Sequence, residues 1–416
     1  MKKYLFLIIV LFLSYRFAFS QWIVQYTSSP AQSCYCLKFF DSNTGYHSGV
    51  LYNGSTMNIY KTTNGGVNYT AQNSNFTSQR FMSIYMKHPD TVFISGNYGK
   101  ILRTVNGGNN WVTLYSDTTL QFWGLFFTSS NTGYVAGSNG RIMKTTNKGD
   151  NWNVLTSNTS TALDGIYFVN ENTGYVGGAN VFLKTTDAGQ TWVNKVGSFI
   201  SAFETAGGVY FSDANTGIYG TNASRIVKTT NGGDSWYLVN NTIGGAVWGL
   251  AFPTPNIGYA CTDSGKVMRT VNGGENWIVQ NTPLTGTDHF YEISFPTVNT
   301  GYVCSWSGKI LKTTDGGATY VSNINSNVPD EYKLYQNYPN PFNPSTNIKF
   351  QLHESGFVTL KVYDAMGKEI RTLLNEKMDA GEYETTFNAE GISSGIYFYK
   401  IQSGDFSETR KMLLVK

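Results

Sequence analysis

One nine-residue phrase returns seven times along this chain and limits it to very few folds. It reads KTTNGGVNY (61–69), RTVNGGNNW (103–111), KTTNKGDNW (144–152), KTTDAGQTW (184–192), KTTNGGDSW (228–236), RTVNGGENW (269–277) and KTTDGGATY (312–320). Successive copies start 42, 41, 40, 44, 41 and 43 residues apart. A second phrase, such as NTGYVAG (131–137), NTGYVGG (172–178) or NTGYVC (299–304), precedes most copies. A short apolar run, such as Leu125-Phe126-Phe127 or Ile166-Tyr167-Phe168, stands upstream of that. Each unit therefore offers four short strands. A period near forty residues with four strands per unit is the pattern of a β-propeller. Seven copies predict an all-β, seven-bladed β-propeller over 21–321.

The local chemistry agrees. Asn or Asp before Gly-Gly makes a hairpin, with the side chain bonding its own backbone and Gly supplying positive φ. The aromatic three residues past the second Gly is placed to pack between blades. The Lys or Arg five residues before that Gly lays its stem over the blade. Trp22, in QWIVQ, repeats the fourth-strand aromatic with no unit before it. The strand that follows Trp22 is expected to pair into the last blade and close the ring. The composition of 44 Gly, 15% aromatic and 14% charged residues suits many strands joined by tight turns. A net charge of +3 leaves no concentrated basic field for nucleic acid.

These residues carry a family resemblance. TTDAGQTW (185–192) is similar to the Asp-box of sialidases and sortilin-type receptors, with Asn replacing Asp in most other copies. The whole unit, GY…G…KTTNGG..W, resembles the repeats of the photosystem II assembly and stability factor family over residues 22 to 321. That resemblance implies a fold and leaves function open.

The two ends read differently from the middle. Lys2 and Lys3, the apolar run Tyr4 to Leu13, and Ala18-Phe19-Ser20 describe a signal peptide over 1–20, too short for a comfortable membrane anchor. After a polar linker expected over 322–331, residues 332–416 alternate like a small immunoglobulin-like β-sandwich. YPNPFNPST, VYDAMGKEI, GIYFYKI and the terminal KMLLVK resemble, in order, the type A C-terminal sorting domain of type IX secretion substrates. The resemblance assigns the sorting signal to Pro339, Asn340, Pro341, Phe342, Tyr363, Asp364, Gly367, Lys368, Gly395, Tyr397, Lys411 and Lys416. It implies export by Sec to the periplasm, then passage across the outer membrane with the secretion machinery as partner. The mature protein would then be released or held at the cell surface.

Little in the propeller suggests catalysis. His47, His88, His289 and His353 are scattered without metal-ligand spacing, and no nucleophile elbow or phosphate loop occurs. No cofactor or metal is expected. Of fifteen acids, only Asp164 and Glu292 stand at the start of first strands instead of in turns. They are the pair a glycoside hydrolase would use. The Asp-box invites a sialidase reading, but nearly every arginine holds a repeat slot, and Arg80 alone stands outside the pattern. Cys261 and Cys304 fall where other repeats carry small residues. Whether Cys304 meets Cys34 or Cys36 across the closure is left open.

One face stands out. Loops between second and third strands share it with the inter-blade loops. It carries Lys100, Arg141, Arg225, Lys266 and Lys309 beside Tyr35, Tyr98, Trp123, Trp248, Tyr291 and Trp306. Aromatics beside cations suit carbohydrate stacking or a protein partner. The competing reading makes the aromatics inter-blade packing and the cations a solvated rim. The expectation is a monomeric, non-enzymatic, secreted or surface binding protein with a glycan or protein ligand. The alternatives are a secreted glycoside hydrolase and, by analogy with the photosystem family, an envelope assembly factor.

Overall fold

The Gly-Tyr phrase builds strands buried at every position, among them Gly133–Gly137, Gly174–Gly178 and Gly301–Ser305. A strand buried on both faces must be central, and each is flanked by neighbours from its own repeat. The structure, a computed structural model, describes residues 22–29, 32–51, 57–72, 80–195, 206–240, 244–280, 282–284, 288–317, 321–325, 328–389 and 392–415. The expected signal segment 1–20, Tyr320 and Lys416 lie outside them. Two compact units emerge, Gln21–Gly317 and Ala318–Lys416. Among the described residues, no helix is long and apolar enough to cross a membrane.

In the first unit the described residues form seven four-stranded antiparallel sheets. Six are made of consecutive strands; the first, for example, runs Gln32–Phe39, Gly45–Leu51, Met57–Thr62 and Thr70–Ala71. The seventh takes Phe290–Ser294, Gly301–Ser305 and Lys309–Thr313 and borrows Ile23–Thr27 as its fourth strand. Ile23 pairs with Lys312 and Thr27 with Lys309. Each sheet's first strand packs on the next sheet's first strand, and that of the seventh packs on that of the first. The ring is closed by the two ends of the propeller segment, as the lone Trp22 predicts. Trp22 is 1% exposed and meets Phe295 edge-on at 5.7 Å.

The joint between sheets explains the repeat's spelling. The tyrosine of Gly-Tyr stacks on the first-strand phenylalanine of the following sheet: Tyr175 on Phe211 at 3.5 Å, Tyr259 on Phe295 at 3.5 Å, Tyr302 on Phe39 at 3.4 Å. Its hydroxyl donates to that sheet's loops, as Tyr175 does to the Ala214 carbonyl and Tyr302 to the Ser42 carbonyl. The repeat lysine lies over the same ring and donates to the same neighbour. Lys144 Nζ is 5.3 Å from the Tyr134 ring and 2.9 Å from the Ala188 carbonyl. Lys312 does likewise with Tyr302 and the Gly65 carbonyl. The glycine before the tyrosine is required because the first-strand phenylalanine of its own sheet lies against it; a Cβ on Gly133 would stand 2.6 Å from the Phe127 ring.

The turn works slightly differently from its sequence reading. The Asn64 side chain accepts from the Asn68 N–H, four residues on, and Thr62 Oγ1 accepts from Gly66 N–H. The same pair of bonds recurs at Thr185/Gly189 and Asp187/Thr191. Thr, Asn/Asp and the second Gly thus act as one capped loop.

The second unit holds two four-stranded antiparallel sheets around one core that includes Leu334, Phe350, Leu360, Phe387, Tyr399 and Leu414. The segment expected as linker over 322–331 is corrected in part. Val321–Asn325 is a strand paired with Gly381–Asn388. Because Ile23–Thr27 already fills the fourth position of the seventh sheet, the chain leaving Gly317 is free to start the next unit.

Replacing Trp22 with Ala is expected to cost about 3–5 kcal/mol of propeller stability, the usual range for a buried Trp. Ile23→Ala, at a 52% exposed position next to it on the closing strand, should stay within about 0.5 kcal/mol. Urea titration followed by tryptophan fluorescence measures both, and equal small losses would refute this account of ring closure.

Candidate binding site at the centre of the ring

Every first strand of the ring breaks its pairing at the same place. In six sheets one residue is skipped between the two strands: Met82, Trp123, Asp164, Gly207, Trp248 and Tyr291. In the first sheet the break spans Tyr35 and Cys36. A bulge bends its strand and re-aims a side chain. Here seven bulges set one residue per sheet around the ring's centre, at the end that also carries the loops between second and third strands. The slot therefore holds Tyr35, Met82, Trp123, Asp164, Gly207, Trp248 and Tyr291. Gly207 has no room for a side chain, because the Val247–Trp248 backbone crosses over it.

Four of the six aromatics expected on this face come together. Tyr35 and Tyr291 lie 5.3 Å apart, Tyr35 and Trp306 5.8 Å, Tyr291 and Trp306 6.1 Å, and Trp248 and Tyr291 6.5 Å. Tyr35, Trp248 and Tyr291 are half-buried, and Trp306 is 38% exposed. Trp123 and the exposed Tyr98 sit on the third and second sheets, apart from this cluster. Lys100, Arg141, Arg225, Lys266 and Lys309 are half-buried just before or at the start of their third strands, one each on the second, third, fifth, sixth and seventh sheets. The Arg80 guanidinium lies over Tyr35 at 5.4 Å. In the sequence it is visible only as the one arginine outside the repeat pattern; no spacing marks it as part of this face.

The two candidate acids do not share a slot. Asp164 occupies the bulge position of the fourth sheet, where other sheets carry aromatics. Glu292 lies one residue further along the seventh, paired opposite Cys304. The one-residue offset is already present against the runs 166–168 and 293–295; the structure adds that the first of these positions is bulged and the second paired. Burial pushes the Asp164 carboxyl up to about 6. Burial also pushes Glu292 up to about 7, offset in part by Lys38 and by the Ile293 N–H that donates to Glu292 Oε1 at 3.1 Å. Beneath this face Cys34, Cys36, Cys261 and Cys304 are buried and free. The Cys304 thiol donates to the Cys34 carbonyl at 3.5 Å, so the two cysteines do adjoin across the closure without being bridged. Buried His47 is held down to about 4, chiefly by desolvation, and is neutral at physiological pH.

In the second unit the sorting residues divide by role. Pro339, Asn340 and Pro341 are exposed, while Phe342 is 2% exposed. The Phe342 N–H donates to the Leu413 carbonyl, and the Phe342 carbonyl accepts from the Val415 N–H, both at 3.0 Å. Asn340 Oδ1 accepts from the Leu413 N–H at 2.9 Å, so the proline-rich segment is tied along the last strand. Asp364 Oδ1 accepts from the Met366 and Lys368 N–H groups and, with Gly367 at φ 78, shapes the turn. Gly395 opens the strand Gly395–Ser403, and buried Tyr397 donates to the Ser393 carbonyl. Tyr363 and Lys411 face outward.

Comparison with known proteins agrees with both units. Residues 336–416 match the family model described as "Secretion system C-terminal sorting domain". Residues 113–247 and 145–287 match that of "Photosynthesis system II assembly factor YCF48". No curated protein sequence matches significantly. Among solved structures, YCF48 from Cyanidioschyzon merolae superposes with a TM-score of 0.57 at 19% identity, over 70% of this chain and 98% of that one. A YCF48 bound to D1 peptide gives 0.56 at 19% identity, over 68% and 93%. PorZ, titled an essential bacterial surface component of the type-IX secretion system of Porphyromonas gingivalis, gives 0.54 at 12% identity over 92% of this chain and 59% of PorZ. At these identities the structural likeness concerns fold. The first unit is a β-propeller built from photosystem II assembly factor-like repeats. The whole chain is a secreted or cell-surface cargo of the type IX secretion system, carrying that system's C-terminal sorting domain.

The raised carboxyls give stability a defined pH dependence. Between the ordinary Glu value of 4.5 and about 7, folded Glu292 keeps a proton that the unfolded chain has lost. Its contribution to stability is therefore present below that window, falls as pH rises through it, and is gone above about 7. Glu292→Gln should flatten this slope and stabilise the protein at pH 8 by on the order of 1–3 kcal/mol. Asp164 leaves a smaller slope below about 6. Urea midpoints taken from pH 5 to pH 8 test this, and parallel profiles for variant and wild type would sink it.

Proposed function

We propose that the protein is a monomeric, non-enzymatic binding protein, with seven blades followed by an immunoglobulin-like sandwich. It is led to the periplasm by a removable signal peptide over 1–20. It presents the bulge-ring face of the propeller to a glycan or protein ligand. The observation that carries this reading is the continuous cluster of Trp248, Tyr291, Tyr35 and Trp306 with Arg80 stacked on it. Such a platform offers flat apolar area flanked by hydrogen-bonding groups, which suits sugar rings or a protein loop equally. The fold neighbour bound to a D1 peptide is a precedent for a peptide ligand on a propeller of this kind.

One observation favours a second reading. Glu292, at about 7, has the proton affinity of a general acid. A glycosidase also needs a second carboxylate within about 5–10 Å. Asp164 belongs to the fourth sheet and Glu292 to the seventh, three sheets apart around the ring. That placement supports binding over hydrolysis.

Full-length mature protein on a glycan array, with reducing-sugar release measured on the same polysaccharides, separates the readings. Binding without release is expected, weakened by about tenfold or more in Trp306→Ala/Tyr291→Ala. Sugar release that disappears in Glu292→Gln would replace the binding module with the enzyme. Silence in both assays, with an envelope protein captured by wild type and not by the double variant, would make the ligand a protein.

A further inference from the structure

The sheet that ends the chain has an inner and an outer face. Along Gly356–Asp364, Gly395–Ser403 and Phe406–Leu414, the residues Val358, Leu360, Val362, Tyr397, Tyr399, Ile401, Met412 and Leu414 point into the core. The alternate residues point out and meet in rows. Tyr363 pairs with Phe398 and Phe398 with Lys411; Lys361 pairs with Lys400 and Lys400 with Thr409; Ile396 pairs with Leu413. Ile396 is 46% and Leu413 38% exposed. Where the first two rows meet the turn after Asp364, a shallow groove of about 420 Å³ is lined by Tyr363, Asp364, Ala365, Phe398, Lys400 and Thr409.

Among the described residues the charges on this face are mostly lysines, with Glu369 and Asp364 as the acids beside them. Lys361 is paired with Glu369 at 2.8 Å. Lys400 and Lys411 extend from neighbouring strands beside the aromatic rings, with Lys368 at the turn. The outer face of the unit's other sheet is the opposite case. Lys349 pairs with Glu382 at 2.8 Å, Gln351 bonds the same carboxylate, and both Lys333 and Lys349 lie over Tyr335. That face satisfies itself, while the first keeps apolar rings and cations turned outward. Sorting residues divide the same way. Phe342, Asp364, Gly367 and Tyr397 hold the fold, whereas Tyr363 and Lys411 belong to the outward rows.

We infer that this outward face, centred on Tyr363, Phe398, Lys400 and Lys411, is where the export machinery grips the chain. The complementary surface is acidic and accepts an aromatic edge. The partner class follows from the sorting-domain match, and its charge from the lysines. The inference is independent of what the propeller binds.

The test is made in a type IX-secreting cell producing the full chain. Lys400→Glu/Lys411→Glu should lower the released and surface-bound fraction by about tenfold, the effect of a modest loss of binding energy, with folded protein held in the periplasm. Asn347→Glu, on the self-satisfied face, should export like wild type. Normal export of the double variant would overturn the inference. A photo-crosslinking residue placed at position 398 or 347 guards against a folding defect. Cross-linking to an outer-membrane protein from 398 alone supports the face. Cross-linking from 347 and not from 398 overturns it. Retention of the wild-type chain would instead overturn the export assignment, and the inference with it.

Discussion

The propeller depends on one joint, repeated around the ring. A tyrosine ring lies flat on the next sheet's phenylalanine, a lysine stem covers the tyrosine, and both polar tips donate to the next sheet's loop carbonyls. At the closure Tyr302, Lys312 and Phe39 make the joint across the propeller's two ends. None of these contacts is large alone. Their force is that each sheet is fixed only by its neighbours, so a ring in which the last joint is made cannot loosen at one blade without straining the others. The joint varies around the ring: Phe93 replaces the tyrosine and packs on Phe127 at 4.2 Å, Arg103 replaces the lysine and reaches the Lys148 carbonyl at 2.8 Å, and in the fifth sheet Ile218 holds the tyrosine position while Lys228 donates to the Glu275 carboxylate.

A frame this regular frees the inner ends of the sheets to differ. The bulge places one residue per sheet around the centre whatever its identity, and there the repeats differ from one another. Aromatics gather on the sixth, seventh and first sheets, an acid stands on the fourth, and a glycine on the fifth yields space to the neighbouring backbone. Symmetric packing with an asymmetric centre is the arrangement expected when the fold is a scaffold and one sector of it does the recognition.

Much of this was legible in the residues. The period, the strand order, the closing Trp22 and the turn chemistry follow from spacing and from the few residues that tolerate positive φ or close approach. The strands of the second unit agree with the alternation read from 345 onward. Three things were not legible. The bulge is a mismatch between two strands, so one strand read alone does not show that Asp164 is left out of the pairing while Glu292 stays opposite Cys304. Arg80 carries no motif, and its stacking on Tyr35 is a contact between different sheets. The strand at Val321–Asn325 reads as a polar linker because its partner lies about sixty residues away.

The amino-acid sequence by itself determined the repeat, the all-β propeller and its closure, and the destination of the protein, because each is written in local spacing or in a contiguous motif. Tertiary structure alone decided which of the expected aromatics form one surface, that one acid sits on a bulge and the other in a paired position, and which sorting residues face outward. Those properties come from pairing register between strands and from contacts between sheets, and neither is a property of any single stretch of chain.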